Sequence, residues 1–374
     1  MRVVAPPPHY PDGRVRPEFR SIRPGTVSRS DGGAYVDRVA YVGHRGDVVT
    51  RSIDHMVAAV ASYVRVSRGM RAGLEVDVIV ATAPALESLV AGRMLAKRFN
   101  LPFIAEMRDA WPDLVSHTPG MTHERGLVAE AKRRVHGFVT GLQRDAALVV
   151  TTTDSFAKVL GQRGVQRVEV IRNGTDLDRY ARIAATIHDH GALRVLYMGT
   201  VGRSQGLDTL IRAASILRRE GVDVHVRIVG SGADVRRLRA LNLDLGSPVE
   251  LFDRVASHEV MRHYEWADTT VVSLRDWQPF RWTVPSKVYE LMATGKHITA
   301  SVAGEAADLV VESNSGDVVG PGDAEALAEL WRRIANDRQQ LDARNGGRAW
   351  VASNADFDLV AARYINVLER ALRR

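Results

Sequence analysis

Arg194-Val195-Leu196-Tyr197-Met198-Gly199-Thr200-Val201-Gly202-Arg203-Ser204-Gln205-Gly206 is the stretch that decides the fold. Its first half reads as a buried strand and its second half as a glycine-rich turn. Gly206 to Arg218 continues at helical spacing, with Asp208 near the start, where a carboxylate suits the helix dipole. The rhythm repeats downstream. Val224 to Gly230 alternates as a strand, Asp234 to Leu241 reads as a helix, and Val249 to Phe252 as a strand. His258 to Trp266 is a helix and Thr269 to Ser273 a strand. Upstream, strands are expected at Val76 to Ala81, Pro102 to Glu106, Ala146 to Thr151 and Val168 to Ile171. Helices fit Ala85 to Arg98 and Ser155 to Arg163. Such alternation predicts an α/β fold of parallel sheets covered on both faces.

The turn cluster Arg172-Asn173-Gly174-Thr175-Asp176 separates the two runs. The expected organisation is two doubly wound, Rossmann-like domains, residues 1–178 and 179–350, facing across a cleft. Ligands of such sheets bind beyond the carboxyl ends of the strands. Residues 351–374 contain apolar positions at helical spacing from Leu359 to Leu372, which reads as packing more than as a membrane anchor. The beginning is irregular. Val3-Val4-Ala5 runs into Pro6-Pro7-Pro8-His9-Tyr10-Pro11-Asp12-Gly13 and a long polar stretch, and no helix is expected before about Ser52 to Arg68.

Composition narrows the class. A chain of 374 residues exceeds the size of a single core, and 45% apolar with 25% charged residues is ordinary for a globular protein. The absence of cysteine removes disulfides, thiolate metal sites and cysteine nucleophiles, and fits a reducing compartment. No apolar run approaches the roughly 20 residues of a membrane span. Met1 to Ala5 does not read as a signal peptide, so a cytoplasmic location is expected. Of 51 basic residues only five are lysines, a pattern that a GC-rich genome explains. The net charge of +7 also suits phosphate-bearing ligands or an anionic membrane face. Basic runs interleaved with aromatics are missing, so nucleic acid is not an expected partner.

Four segments of the second half converge if the sheet reading holds. Gly199, Gly202 and Arg203 lie in the first turn, where backbone N–H groups and a guanidinium can meet a phosphate. Gly230-Ser231-Gly232 follows the next strand and lets a base or ribose approach the backbone. Phe252-Asp253-Arg254 ends a third strand, with Arg254 on the rim of a base pocket. A plain turn or a solvated arginine would look the same at each. Pro285-Ser286-Lys287-Val288-Tyr289-Glu290-Leu291-Met292-Ala293-Thr294-Gly295-Lys296 is more specific. Proline can open the helix, the N–H groups of Ser286 and Lys287 then face the cleft, and Glu290 follows one turn on. A diphosphate on the helix end and a ribose on the glutamate fit one nucleotide. The bland alternative is an exposed Lys–Glu pair.

These segments, with Ser257 to Asp268 and Gly320-Pro321-Gly322-Asp323-Ala324-Glu325-Ala326-Leu327, resemble in order and spacing the retaining GT-B glycosyltransferases of family 4. The resemblance covers essentially residues 1–370. It is tightest with bacterial enzymes of cell-surface polysaccharide assembly, whose Pro-Ser-Lys-x-x-Glu motif is present. It implies that Glu290 holds the ribose, with Ser286, Lys287 and Val288 in the nucleotide-sugar site. The partner of the family's paired glutamates is Trp282 here, and its basic residue before the glycine is Gln205. Glu106-Met107-Arg108-Asp109-Ala110-Trp111-Pro112-Asp113 resembles the acceptor-side motif, which makes Arg108 and Asp109 candidates for contacting the sugar or the acceptor hydroxyl. A structural Arg–Asp pair capping the loop is the alternative. Asn173 to Asp176 resembles the interdomain turn.

The resemblance also implies that Val3 to Gly13 is the family's second strand with its loop. The expectation is therefore an N-terminal domain without the usual first strand, glycine-rich loop and helix. The implied activity is sugar transfer from a nucleotide-diphosphate sugar to a hydroxyl acceptor, with retention and no metal. Arg203, Lys287 and the helix N-terminal amides would stabilise the leaving diphosphate, while Arg108 and Asp109 would meet the transferred sugar or the acceptor hydroxyl. The donor is expected to be a UDP-sugar rather than a GDP-sugar. The expected acceptor is a glycan or lipid-linked precursor, with peripheral contact at the inner membrane. A sugar-nucleotide epimerase of the same fold and a non-catalytic nucleotide-sugar-binding protein are the alternatives. An NAD(P) enzyme is disfavoured by the missing Gly-x-Gly-x-x-Gly with a spaced acid.

Overall fold

Every residue of Thr269–Ser273 and of His297–Ser301 is buried, although five of the ten are threonine or serine and one is histidine. They tolerate this because they bond one another. Thr269 Oγ1 lies 2.8 Å from His297 Nδ1 and 2.9 Å from Thr299 Oγ1, and His297 Nε2 lies 3.1 Å from Asp317. These are neighbouring interior strands of the sheet in the C-terminal half. In the computed structural model, which describes all residues except 10–12, 16, 31, 45–46, 117–125, 182, 184–190, 257, 343–345 and 374, thirteen strands are present. They are β1 (Arg2–Ala5), β2 (Val27–Arg29), β3 (Tyr35–Arg38), β4 (Ile79–Ala83), β5 (Phe103–Met107), β6 (Leu148–Thr151) and β7 (Val168–Val170). The C-terminal half adds β8 (Leu193–Met198), β9 (Val224–Val229), β10 (Val249–Phe252), β11 (Thr269–Ser273), β12 (His297–Ser301) and β13 (Gly316–Val319). Tyr10, Pro11 and Asp12 of the proline-rich stretch and Ser257 lie outside the described residues.

The C-terminal sheet runs β10-β9-β8-β11-β12-β13, all parallel. The order reverses between β8 and β11, and a crevice opens beyond their carboxyl ends at such a switch point. The glycine-rich turn leaves β8 there. Strand positions match the sequence expectation within a few residues, the largest shift being Ile79–Ala83 against Val76 to Ala81.

The N-terminal half is not one continuous doubly wound sheet. β4-β5-β6-β7 form a parallel sheet, while β1, β3 and β2 form a second one, with β1 parallel and β2 antiparallel to β3. The hairpin β2–β3 falls in the stretch expected to be merely polar. Its strands have three and four residues and all of β2 is exposed, so no apolar alternation marks them. β1 is followed by the prolines and this hairpin rather than by a helix. The first α-helix is Val48–Arg71, longer than expected at both ends, with Asp47 accepting the Thr50 N–H as its cap. A helix at Leu127–Arg144 was not foreseen.

Two devices join the halves. Glu305, at the start of the helix Glu305–Glu312, accepts from the N–H groups of Asp154 and Ser155 at 3.1 and 2.6 Å. It thus caps the helix Asp154–Gln162 of the other half, and Arg172 bridges Glu305 and Asp154 at 3.1 and 2.6 Å. The terminal helix Phe357–Leu372 returns to the N-terminal sheet. Val367 and Ala371 pack with Ile104, Leu148, Val150 and Ile171. The turn at Gly174 makes room for this helix, since a Cβ there would lie 2.8 Å from the Phe357 ring. Glu305→Ala should lower unfolding free energy by about 1–3 kcal/mol through loss of charged hydrogen bonds at a largely buried site. Urea denaturation measures this. A loss below about 0.5 kcal/mol, the usual range of surface changes, would show that the contact does not hold the halves together.

Candidate functional site

The site is built on backbone that comes too close for side chains. Gly199 donates its N–H to Val229 O at 3.0 Å, and Val201 donates to Ser231 O at 2.9 Å, so the turns after β8 and β9 run side by side. A Cβ on Gly230 would sit 1.8 Å from Gly199 O, and one on Gly232 2.3 Å from Val201 O. Gly230 also donates to Phe252 O at 3.1 Å, which draws in the end of β10. Lys287 completes the meeting: its Cε would lie 3.8 Å from a Cβ at Gly199.

Lys287 stands in the first turn of the helix Ser286–Ala293, directly after Pro285, and no side chain caps this N-terminus. The first N–H groups of a helix lack intrahelical partners, so this end is a ready anion site. Lys287 Nζ donates to Glu290 Oε2 at 2.6 Å, and the Tyr180 hydroxyl reaches the same oxygen at 3.4 Å. Burial, and then the Glu290 charge, push the Tyr180 phenol up to about 12. Tyr180 therefore stays a hydrogen-bond donor to Glu290 at neutral pH. Both Lys287 and Glu290 remain about one-third exposed, so a ligand can reach them.

Other expected members divide. Ser286 is exposed at the helix end. Val288 is fully buried in the core beneath it, and its N–H is taken by Pro285 O at 2.9 Å, so it positions the turn rather than lining a cleft. Gly202 donates its N–H to Gln205 Oε1 at 3.1 Å. Gln205 thus closes its own turn. Arg203 is exposed on the same turn, while Arg254 is exposed at the end of β10. Lys296 is buried, and burial holds its amine below the usual lysine range against the opposing pull of Asp268 and Glu265. It belongs to the fold.

The sequence reading missed Arg275, which follows β11. Its backbone N–H donates to Ser204 O, its Nε to Arg203 O at 2.7 Å, and its Nη2 to Asp208 at 2.9 Å. Arg237 grips Asp234 through two bonds at 2.8 and 2.7 Å and also reaches Asp208 at 3.2 Å. Those hydrogen bonds hold the Asp234 carboxyl below its ordinary range, with Arg275 and Arg203 adding to the effect. The turn is therefore braced by ion pairs before any ligand arrives. No local signal in the sequence marks this network, because Arg237 and Arg275 come from segments far from Arg203.

Arg108 and Asp109 lie at the carboxyl end of β5, in the N-terminal half. Arg108 donates to Asn173 Oδ1 at 2.7 Å and stands 3.9 Å from Glu106. Asp109 is accessible yet flanked by protein, and this loss of water raises its carboxyl above the ordinary range while Arg108 opposes the shift. Among the described residues no hydrogen bond or ion pair joins this pair to Lys287 or Glu290. Trp282, in place of a second glutamate, packs on the N-terminal core and accepts from Thr153 Oγ1 at 2.5 Å. It is an interdomain contact.

Comparison with known proteins bears on the fold and on the C-terminal half. Residues 192–337 match the family described as Glycosyl transferases group 1. A putative colanic acid biosynthesis glycosyltransferase, WcaL of Salmonella typhimurium, is 28% identical over 193 residues, which is 50% of this chain and 47% of that protein. WcaI of Escherichia coli, named for the same pathway, is 25% identical over 64% of this chain and 60% of its own length. The chain thus spans about half the length of the first of these relatives. Among solved structures, sucrose-phosphate synthase of Thermosynechococcus elongatus superposes with a TM-score of 0.72 at 19% identity, over 99% of this chain and 88% of that one. Anabaena HepE, solved with UDP-glucose, gives 0.63 at 20% identity over 83% and 82%. The fold is GT-B, with two Rossmann-like domains.

Gly230→Ala tests the close approach. Overpacking typically costs about 1–3 kcal/mol, and a backbone neighbour cannot rotate away, so the loss should reach at least the upper end. An unchanged urea midpoint would contradict the geometry.

Proposed function

We propose that this chain is a glycosyltransferase that moves a sugar from a nucleotide-diphosphate sugar, a UDP-sugar in preference to a GDP-sugar, to a hydroxyl of a glycan or lipid-linked acceptor. The observation that carries the reading is the uncapped end of the helix Ser286–Ala293, meeting Gly199 at Lys287, with Glu290 one turn deeper. The diphosphate lies at the N–H groups of Ser286 and Lys287, and Glu290 accepts from the two ribose hydroxyls. Lys287 exchanges its bond to Glu290 for one to phosphate. The match over residues 192–337 and the UDP-glucose complex of HepE lend support to this donor class.

Charge accounts for the chemistry. When the bond between the sugar C1 and the phosphate oxygen breaks, negative charge collects on the diphosphate. Lys287, Arg203 and the helix end stabilise it more than they stabilise the intact donor. A new bond forms between C1 and the acceptor oxygen, and the acceptor proton passes to a phosphate oxygen. Attack on the face the phosphate leaves gives retention, as expected of family 4. Arg108 and Asp109 position the acceptor side.

The lipid-linked form of the acceptor finds support on the helix Val48–Arg71. Val49, Ile53, Met56, Val60 and Val64 are all exposed along it, and Arg68 and Arg71 sit in its last turn. An apolar stripe with a basic last turn suits the surface of an anionic membrane, where the chain would sit on the cytoplasmic face. Among the described residues no helix is long and apolar enough to cross a membrane.

Lys287→Ala and Glu290→Ala should each weaken UDP binding at least tenfold in calorimetry, a change of about 1.4 kcal/mol, with folding intact by circular dichroism. Unchanged affinity in both would remove the proposed site. Transfer assayed with a polyprenyl-linked acceptor should give product of the donor's anomeric configuration by NMR, and inversion would refute the retaining step. Vesicles with anionic lipid should sediment the chain at low salt and release it at high salt; equal binding to neutral vesicles would argue against the basic contribution.

A further inference from the structure

His9, His44 and Asp54 come from three separate segments and meet at the carboxyl edge of the small N-terminal sheet. His9 follows the three prolines after β1, His44 lies six residues past β3, and Asp54 sits two turns into the helix Val48–Arg71. Each offers one ligand atom, and the three atoms lie within 4.8 Å of one another. His44 is 6% and Asp54 2% exposed, and the His9 side chain is 10% exposed. Gly13 and Gly43 let the two loops touch: a Cβ on Gly13 would fall 2.1 Å from His44 O, and one on Gly43 2.8 Å from Gly13 O.

The hydrogen bonds of His9 turn its Nε2 toward Asp54. Its Nδ1 lies 2.7 Å from Pro7 O, a carbonyl that can only accept, so Nδ1 carries the hydrogen. The lone pair of a neutral ring then sits on Nε2, which faces Asp54 Oδ2 at 2.7 Å. A hydrogen or a metal ion can stand between these two atoms. Asp54 is held from behind as a ligand would be, its Oδ1 accepting the Val42 N–H at 3.0 Å. The Tyr41 ring, 4.6 Å from that of His9, closes one side. Partners that orient an imidazole and a carboxylate in this way are the usual outer shell of a metal site.

We propose that His9 Nε2, Asp54 and a ring nitrogen of His44 bind one divalent transition-metal ion of the zinc class. Two imidazoles and one carboxylate are a zinc-type donor set that leaves a further position for water. His44 is biased toward its neutral, ligating form, first by burial and then by Arg51 and His9, while Asp54 pulls the other way. Arg51 and His55 both act against a positive charge on His44. The family resemblance implied no metal, and no part of the transfer step is routed through this site.

The test uses the full chain stripped with EDTA and titrated with zinc sulfate in a calorimeter. One ion per chain is expected at micromolar affinity or tighter. His44→Ala and Asp54→Asn should each weaken it at least tenfold, while His225→Ala, at an exposed position, should leave it unchanged. No saturable one-to-one binding, or equal binding by the His44 and Asp54 variants, would overturn the proposal. Should a variant not fold, cobalt(II) bound to the wild-type chain decides. Intense visible bands of a low-coordinate ion are expected, and the weak spectrum of the hydrated ion would overturn the assignment.

Discussion

The closeness of two bare backbones organises this molecule. The turns after β8 and β9 share hydrogen bonds from Gly199 to Val229 and from Val201 to Ser231, with Gly230 lying where any Cβ would strike Gly199 O. That contact leaves the carboxyl edge of the sheet open enough for Lys287 to lie over Gly199. The candidate site is assembled around it. The helix end that presents Ser286 is aimed by a core in which Val288, Tyr289, Leu291 and Met292 are buried. Arg348 fastens the far end of that helix by donating to Ala293 O at 2.9 Å and to Tyr180 O at 3.2 Å.

Electrostatics is arranged in two tiers. Asp208 and Asp234 neutralise Arg237 and Arg275 and fix the turn that carries Arg203. Lys287 and Glu290 instead pair with each other in the absence of ligand. An exposed pair of this kind stabilises little, at most about 1 kcal/mol, so exchanging it for phosphate and ribose contacts costs little. The rigid tier holds geometry, and the loose tier is free to rearrange around an anion. The same division separates Arg172 and Glu305, which join the domains, from Arg108, which reaches Asn173 at the interdomain turn.

Much of this was legible in the sequence because strand–turn–helix units announce themselves locally. Thr269–Ser273 and Val249–Phe252 fell where apolar runs placed them, and the Pro-Ser-Lys-x-x-Glu stretch opened a helix as its proline required. What escaped was set by tertiary contacts. The β2–β3 hairpin is short and exposed, so it carries no periodic signal. Val288 belongs to a motif and yet points into the core, and Lys296, beyond the end of that helix, is buried too. Arg275 looked like one arginine among many until β11 brought it beside Asp208. The meeting of His9, His44 and Asp54 joins residues up to 45 positions apart and could not be read from spacing.

The central claim is that a nucleotide diphosphate is held at the opening of the helix Ser286–Ala293, with its ribose on Glu290. A crystal structure of the chain soaked with UDP addresses it directly. The account predicts diphosphate density within hydrogen-bond distance of the Ser286 and Lys287 amides and the Lys287 amine, and ribose hydroxyls on the Glu290 carboxylate. Density for the nucleotide elsewhere, with the Lys287–Glu290 pair still closed, would contradict it.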